Sequence, residues 1–165
     1  MIVVFGSLNL DFVTQVARLP GPGETVLGPE CVAHPGGKGA NQALAAARAG
    51  ARTILAGAVG DDGFADLALE LLRQANLDLS RVARVGASTG AAFITVDEAG
   101  ANQIVVASGA NRAAKATQLD GIGWSKRDIL LMQCETPAAE NLIAARQARA
   151  AGARVILNLA PAMIP

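Results

Sequence analysis

The chain has 165 residues, of which 52% are apolar, and its fourteen basic residues balance fourteen acidic ones. A net charge of zero provides no electrostatic attraction to nucleic acid or to an anionic membrane. Aromatic residues make up 3% of the sequence, too few for the stacking surfaces that bind single-stranded nucleic acid. Composition therefore argues against nucleic acid as a partner and predicts a globular domain with a sizeable apolar core.

The sequence contains no targeting signal and no metal-binding cysteine pattern. The longest uncharged stretch, residues 99–111, is too short and too polar to span a bilayer, so no membrane association is expected. No basic residue precedes the first apolar run, which predicts the absence of a secretory signal and a cytoplasmic location. Cys31 and Cys134 have no metal-ligand spacing, and we expect both to be small core residues in a reducing compartment.

Apolar runs and helical periods alternate along most of the chain, which predicts an α/β fold. The first apolar run, residues 2–5, ends at Gly6, as expected of a buried parallel strand. An alanine-rich helix over 39–49 ends at a glycine, and an amphipathic helix over 62–75 has acidic residues in its first turn. The other predicted core elements are strands over 53–59, 129–134 and 154–159 and a helix over 138–151.

Two segments lack the helical period and predict a small β appendage on this core. Residues 90–108 alternate in polarity on both sides of a turn at 98–102, which predicts a β-hairpin. Residues 12–32 contain closely spaced Pro and Gly, which predict turns between further short strands. The chain ends at residue 165, where an α/β domain would continue into another helix, so we expect a truncated fold.

Polar residues follow the first strand. Asn9 and Asp11 are two positions apart, so in an extended chain both side chains point to one face. An amide and a carboxylate at the carboxyl end of a central strand suit a ligand with several hydroxyl groups, whose protons pair with acceptor oxygens. The alternative is that these residues only shape a turn after the strand.

The stretch 34–43, His-Pro-Gly-Gly-Lys-Gly-Ala-Asn-Gln-Ala, places three glycines around the start of a predicted helix. Gly37 has no side chain, which leaves the backbone accessible to a ligand, and the helix start offers unpaired N–H groups. Lys38 and Asn41, three positions apart, are expected to share one helical face near that end. The loop matches neither a Walker A motif nor GxGxxG, which disfavours a dinucleotide-binding domain. A glycine-rich turn that binds nothing is the alternative.

Further polar positions also have structural interpretations. Glu135 ends a predicted strand at the edge of the sheet where ligands bind, although an acid that opens the next helix is the simpler interpretation of that residue alone. His34, the single histidine, has no predicted partner and is interpreted as a structural loop residue. Asp61 and Asp62 precede a helix and are interpreted as a turn and a helix cap rather than as a metal site.

These motifs, in this order, resemble the ribokinase family of carbohydrate kinases, or PfkB type. The run 36–43, with Gly50 and Gly60 downstream, is similar to the family's N-terminal signature. The segments 6–11, 59–62, 108–111 and 130–135 resemble further family motifs, so the resemblance covers essentially the whole chain. It implies one domain over residues 1–165, an α/β three-layer sandwich with a small β-sheet lid formed by the 12–32 and 90–108 segments. This domain would be truncated after about half of the family fold.

Carried over by position, the resemblance implies a sugar-binding site made of Asn9, Asp11, Gly37, Lys38, Asn41 and Glu135. It implies transfer of the γ-phosphoryl group of ATP to the hydroxymethyl oxygen of ribose or a related sugar, with Mg²⁺ and a monovalent cation as cofactors. The lid would exclude water and pair two subunits into a homodimer.

Several family motifs have no counterpart in these 165 residues. They are the catalytic Gly-Ala-Gly-Asp segment, the Asn-x-x-Glu motif, and the nucleotide and cation sites. No catalytic, nucleotide-binding or metal-binding residue is therefore predicted, and the chain alone is expected to be inactive as a kinase. The alternatives are a non-catalytic sugar- or nucleoside-binding module of this length and an inactive truncated product.

Overall fold

A computed structural model describes residues 1–162. The last three residues of the predicted domain, 163–165, lie outside the described residues.

The main sheet has five parallel strands. In spatial order the strands are β5 (Asp78–Val85), β4 (Thr53–Gly60), β1 (Ile2–Phe5), β8 (Ile129–Met132) and β9 (Arg154–Leu157). The uninterrupted apolar runs of β1 and β4 place these strands in the interior, where both faces of the sheet are covered.

Helices cover both faces of this sheet. They are α1 (Lys38–Arg48) and α2 (Gly63–Gln74) on one face, and α3 (Ala138–Ala150) with two short 3-10 helices, Gly109–Ala113 and Ala116–Leu119, on the other. Successive strand residues point to opposite faces, so Val4 packs with Leu44 and Leu69, whereas Val3 packs with Ala144. The predicted three-layer α/β arrangement is confirmed. No helix of residues 1–162 is long and apolar enough to cross a membrane.

A second, four-stranded sheet stands at one side of the core. Its spatial order is β3 (Cys31–Gly36), β2 (Asn9–Gln15), β6 (Gly90–Val96) and β7 (Asn102–Ala107), and we call it the lid. Strands β6 and β7 form an antiparallel hairpin, and β2 pairs with β6 in parallel. Aromatic contacts join the lid to α2, because the Phe12 ring lies 5.6 Å from Phe93 and 5.5 Å from Phe64.

The structure differs from the prediction for residues 12–32. The first lid strand already begins at Asn9, directly behind the first core strand, and the second ends at Gly36. Residues 16–30 form no strand or helix, because the proline and glycine residues of that segment remove backbone donors and favour turns. The polar residues after β1 therefore lie on a lid strand rather than in a loop.

Three small predictions about single residues are wrong. Cys31 is exposed and Cys134 is only half-buried, so neither is a core residue. Cys31 starts an edge strand of the lid, and Cys134 lies in the cavity described below. His34 is an exposed residue of strand β3 and not part of a loop, and it lies directly opposite Asp11 in the antiparallel register.

The predicted cap at Asp62 is confirmed. Its carboxylate accepts hydrogen bonds from the Ala65 N–H at 3.1 Å and from the Thr89 N–H and hydroxyl, both at 2.7 Å. This side chain thus joins the start of α2 to the loop that leads into the lid. Burial alone would raise the pKa of Asp62, but the hydrogen bonds from Thr89 and the helix N–H groups hold that pKa below its usual value.

We expect the substitution Asp62→Ala to lower the free energy of unfolding by about 2 kcal/mol, because the helix cap and the Thr89 contacts are lost together. The neighbouring Asp61→Ala, at an exposed side chain, is the matched control and should change stability by less than about 0.5 kcal/mol. Urea denaturation measures both. Because the folded-state pKa of Asp62 is lowered, its contribution is present above the unfolded pKa and disappears as the pH falls through the folded one. Equal effects of the two substitutions would contradict the cap.

Candidate functional site

A cavity of about 710 Å³ opens at the carboxyl end of the main sheet, between the sheet and the lid. Parallel α/β sheets bind their ligands at this edge, where the loops after several strands meet. Three of the six predicted site residues line the cavity, and they come from different elements: Asn9, Lys38 and Glu135. The lid contributes apolar side chains to the opposite wall, Ile104 and Val106.

Glu135 lies at the centre of the hydrogen-bond network of the site. Its Oε2 accepts a hydrogen bond from the Ser7 hydroxyl at 2.5 Å and one from the Lys38 backbone N–H at 3.1 Å. Its Oε1 forms an ion pair with the Lys38 ammonium at 3.3 Å. The Glu135 side chain is 10% exposed and the Lys38 side chain 37% exposed. Glu135 therefore joins the segment after β8 to the start of α1 and directs the Lys38 ammonium to the cavity.

The glycines of the loop before α1 allow backbone segments to approach one another. Gly37 has a φ of 92°. A Cβ atom at this position would lie 2.8 Å from the backbone carbonyl oxygen of Ser7 and 2.8 Å from the backbone nitrogen of Asn9. A side chain at Gly39 would lie 2.5 Å from backbone atoms of Gly6 and Ser7. The protein's own backbone thus occupies the space beside both glycines. Their first effect is structural: they seat the start of α1 against the turn after β1.

Asn9 is held by a buried asparagine that we did not predict as a site residue. Asn111 is 1% exposed; its Nδ2 donates to the Asn9 Oδ1 at 2.7 Å and to the Leu8 carbonyl at 3.2 Å. Its Oδ1 accepts from the Leu8 N–H at 2.9 Å. These bonds fix the Asn9 amide with its oxygen already occupied, which leaves its NH₂ group for other acceptors. The Gly-Ala-Asn sequence after the lid hairpin is the signal that could have identified Asn111.

Asp11 has an acceptor atom that no described protein group uses. Its Oδ1 is buried without a hydrogen-bond partner among residues 1–162. Gly36 makes room for the carboxyl group, because a side chain at Gly36 would lie 2.1 Å from the Asp11 Oδ2. Burial and, after it, the negative Glu135 raise the pKa of Asp11, while Lys38 and His34 act in the opposite direction. Asp11 is not among the residues that line the cavity, but an unsatisfied carboxylate oxygen next to this cluster is suited to accept a hydrogen bond from a ligand hydroxyl.

The structure does not bring Asn41 to the same cavity. Asn41 is exposed and lies beside a separate, small depression between α1 and α2, whose lining includes Leu44 and Leu71. The expectation that Lys38 and Asn41 share one face therefore differs from the structure, because Lys38, the first residue of α1, is turned toward Glu135. A role of Asn41 in sugar binding stays a prediction.

The described part of the chain contains no group of three or more His, Cys, Asp or Glu side chains arranged to hold a metal ion. The aspartates at 61 and 62 do not form such a group either, since Asp62 is used by the helix cap. The acidic residues of the cavity are engaged in a different way. Glu135 is paired with the Lys38 ammonium and accepts a hydrogen bond from the Ser7 hydroxyl.

A parallel sheet whose carboxyl end forms a cavity with a few convergent polar groups beneath a β lid is an architecture typical of proteins that bind small molecules. The model of the pfkB family carbohydrate kinase matches residues 1–165, and the chain belongs to that family.

Within this family, the chain is similar to ribokinases from several organisms. The chain is 39% identical to ribokinase from Haemophilus influenzae over 99% of its own length and 54% of the relative. It superimposes on the crystal structure of ribokinase from Thermotoga maritima with a TM-score of 0.87 and 37% identity, covering 99% of this chain and 54% of that one. Ribokinase from Arabidopsis thaliana, whose structure is a complex with ribose and ATP, gives a TM-score of 0.78 and 30% identity over 96% of this chain and 53% of that one. The chain thus spans about half the length of the curated relatives it matches.

Proposed function

We propose that this chain forms the sugar-binding half of a ribokinase-type kinase, which phosphorylates the hydroxymethyl group of ribose or a related sugar with ATP. The observation that carries the proposal is the unpaired Asp11 oxygen beside the Lys38–Glu135 pair. A furanose presents several hydroxyl groups on a compact ring. It therefore needs both acceptors and donors at short range, with little net charge.

Each proposed site residue has a distinct role. Asp11 accepts hydrogen bonds from ring hydroxyls through its free oxygen, and the side-chain amide of Asn9 donates to a sugar oxygen. The Lys38 ammonium, held by Glu135, donates to a further hydroxyl. Gly37 and Asn41 are carried over from the family pattern, and the close packing around Gly37 supports a positioning role for that loop. The lid residues Ile104 and Val106 cover the sugar with apolar surface and exclude water.

The phosphoryl transfer step is proposed for the whole kinase rather than for this chain alone. The sugar hydroxymethyl oxygen forms a bond to the γ-phosphorus as the bond to the β-phosphate oxygen breaks, ADP leaves, and a base takes the hydroxyl proton. ATP supplies the phosphoryl group, and Mg²⁺ with a monovalent cation would serve the nucleotide. Their sites and the base belong to the family motifs that residues 1–165 lack. The exposed Phe93 and Val105 of the lid support pairing of two subunits through that sheet.

Titration of the isolated chain with ribose tests the sugar-binding role. We expect saturable binding of ribose, measured by calorimetry or by changes in the backbone amide chemical shifts of residues around the cavity. We expect 2-deoxyribose to bind more weakly, because it lacks one of the hydroxyl groups that form hydrogen bonds. In a parallel assay with ATP, Mg²⁺ and ribose, we expect no ribose phosphate above a protein-free control. Absence of saturable ribose binding contradicts the site. Formation of ribose phosphate contradicts the assignment of the catalytic groups to a missing half.

A sugar- or nucleoside-binding module is the second candidate, because Asn9, Lys38 and Glu135 can hold the hydroxyl groups of a ligand without a catalytic group beside them. Both candidates predict ribose binding, so binding alone does not separate them. Adding the C-terminal half of a ribokinase relative separates the two candidates. Recovery of ribose phosphorylation on mixing the two halves supports the kinase, and sugar binding without recovery supports the module.

A further inference from the structure

The cavity lining contains a second cationic residue besides Lys38. Arg112 belongs to the 3-10 helix Gly109–Ala113 and lines the cavity together with Ser108. It directly follows Asn111, whose buried hydrogen bonds to Leu8 and Asn9 fix the backbone at this point. The guanidinium is therefore carried on a rigid wall of the cavity, although its own side chain is exposed.

Arg112 has no partner among the residues that the structure describes. The cavity lining contains one other cationic residue, Lys38, whose ammonium is neutralised by Glu135 at 3.3 Å. Several other arginines, such as Arg81 and Arg84, have carbonyl or carboxylate partners within residues 1–162, whereas the Arg112 guanidinium has neither. The described lining of the cavity thus presents hydroxyl-binding groups at Asn9, Lys38 and Glu135 and one uncompensated positive charge.

We propose that Arg112 binds a phosphoryl group inside this cavity, and that a sugar phosphate carries this group. The guanidinium presents five N–H donors in a planar fork that matches phosphate oxygens, and it stays charged at any physiological pH. Arg112 lines the same cavity as Asn9 and Lys38, so one ligand can contact the proposed sugar site and the guanidinium together. This inference rests on the proposed sugar site, because that site would orient the sugar and direct its phosphate to Arg112.

Two kinds of ligand carry a phosphoryl group that Arg112 can bind: a sugar phosphate and a nucleotide with a terminal phosphate. Titrations of the chain with ribose, ribose 5-phosphate and ATP distinguish them. The variants are Arg112→Gln, which keeps polarity but removes the charge, and Arg127→Gln, a matched control at an exposed arginine outside the cavity. We expect Arg112→Gln to weaken ribose 5-phosphate binding about tenfold and to leave ribose binding unchanged, since one charge-assisted contact is lost. Arg127→Gln should change neither.

The outcomes separate this inference from the proposed function. An unchanged affinity of Arg112→Gln for ribose 5-phosphate overturns the inference, and so does an equal loss for ribose, which would indicate a general defect of the pocket. A loss confined to ATP assigns the phosphoryl group to a nucleotide and overturns the sugar phosphate. If wild-type protein fails to bind ribose but binds ribose 5-phosphate through Arg112, the phosphate site stands and the proposed sugar site fails.

Discussion

Replacing Gly39 with alanine is expected to lower the free energy of unfolding by about 3 kcal/mol. Gly39 lies in the first turn of α1, and the added methyl group would lie 2.5 Å from the carbonyl carbon of Gly6 and from the amide nitrogen of Ser7. These are backbone atoms of the turn after β1, so they cannot move aside by a change of rotamer. The start of α1 would have to retreat from the sheet. The hydrogen bond between the Gly39 N–H and the Ser7 hydroxyl, 3.3 Å long, would be lost with it.

The same substitution at Gly63 is the matched control. Gly63 is the first residue of α2, and a methyl group there would meet no atom within 4 Å. Gly63→Ala should therefore raise the free energy of unfolding by about 0.5 kcal/mol, because alanine restricts the unfolded chain and favours the helix. Urea denaturation of the two variants gives shifts of opposite sign. A Gly39→Ala variant as stable as wild type would show that the approach of α1 to β1 is not needed.

The Gly39 substitution should also reduce ribose binding more than its effect on stability explains. Lys38 is the neighbouring residue, and its backbone N–H donates to Glu135 at 3.1 Å. A retreat of the helix start would lengthen this bond and move the Lys38 ammonium away from the cavity. Measurement at low temperature, where the variant is still folded, separates the loss of affinity from the loss of folded protein.

The core elements were predictable because their signals are local. The apolar run of β1 and the amphipathic period of α2 each indicate an element without knowledge of the rest of the chain. Strand β5 was missed because Asp78, Arg81 and Arg84 interrupt any apolar pattern. This strand lies at the edge of the sheet, where only one side pairs and charged side chains remain solvated.

The supporting residues of the site were harder to predict because their partners are distant in sequence. Asn111 lies 103 positions from Leu8, and Ser7 lies 128 positions from Glu135. Ser7 has no local feature that distinguishes it from an ordinary strand-end residue, and the Gly-Ala-Asn sequence marks Asn111 without indicating which residues it contacts. The same limitation explains Asn41: helical spacing brings it near Lys38 in projection, but the attraction of Lys38 to Glu135 is a tertiary effect. A buried polar residue can be assigned only when its partners are known.

Asp11→Asn is expected to weaken ribose binding by about tenfold to a hundredfold and, at neutral pH, to stabilise the unliganded fold. Both effects have one cause, the partly buried carboxylate whose Oδ1 has no protein partner. Burial and Glu135 raise the pKa of Asp11 in the folded chain, so the folded state binds the proton more tightly than the unfolded state does. Its charge is therefore destabilising above the folded-state pKa, and this cost disappears as the pH falls through the raised folded pKa toward the unfolded value.

Ligand binding should depend on pH in the opposite direction to stability. The charged carboxylate accepts hydrogen bonds from sugar hydroxyls, so wild-type affinity for ribose should fall as the pH decreases through the raised pKa of Asp11. The asparagine variant should bind weakly at every pH and lose this dependence, while Asp61→Asn, an equal change of charge at an exposed site, should behave as wild type. An Asp11→Asn variant that is less stable than wild type, or that binds ribose equally well, would mean that the unpaired oxygen serves the fold and not a ligand. An exchange of stability for binding would identify this carboxylate as part of a site, since buried acids that serve the fold alone generally have a hydrogen-bond donor within the protein.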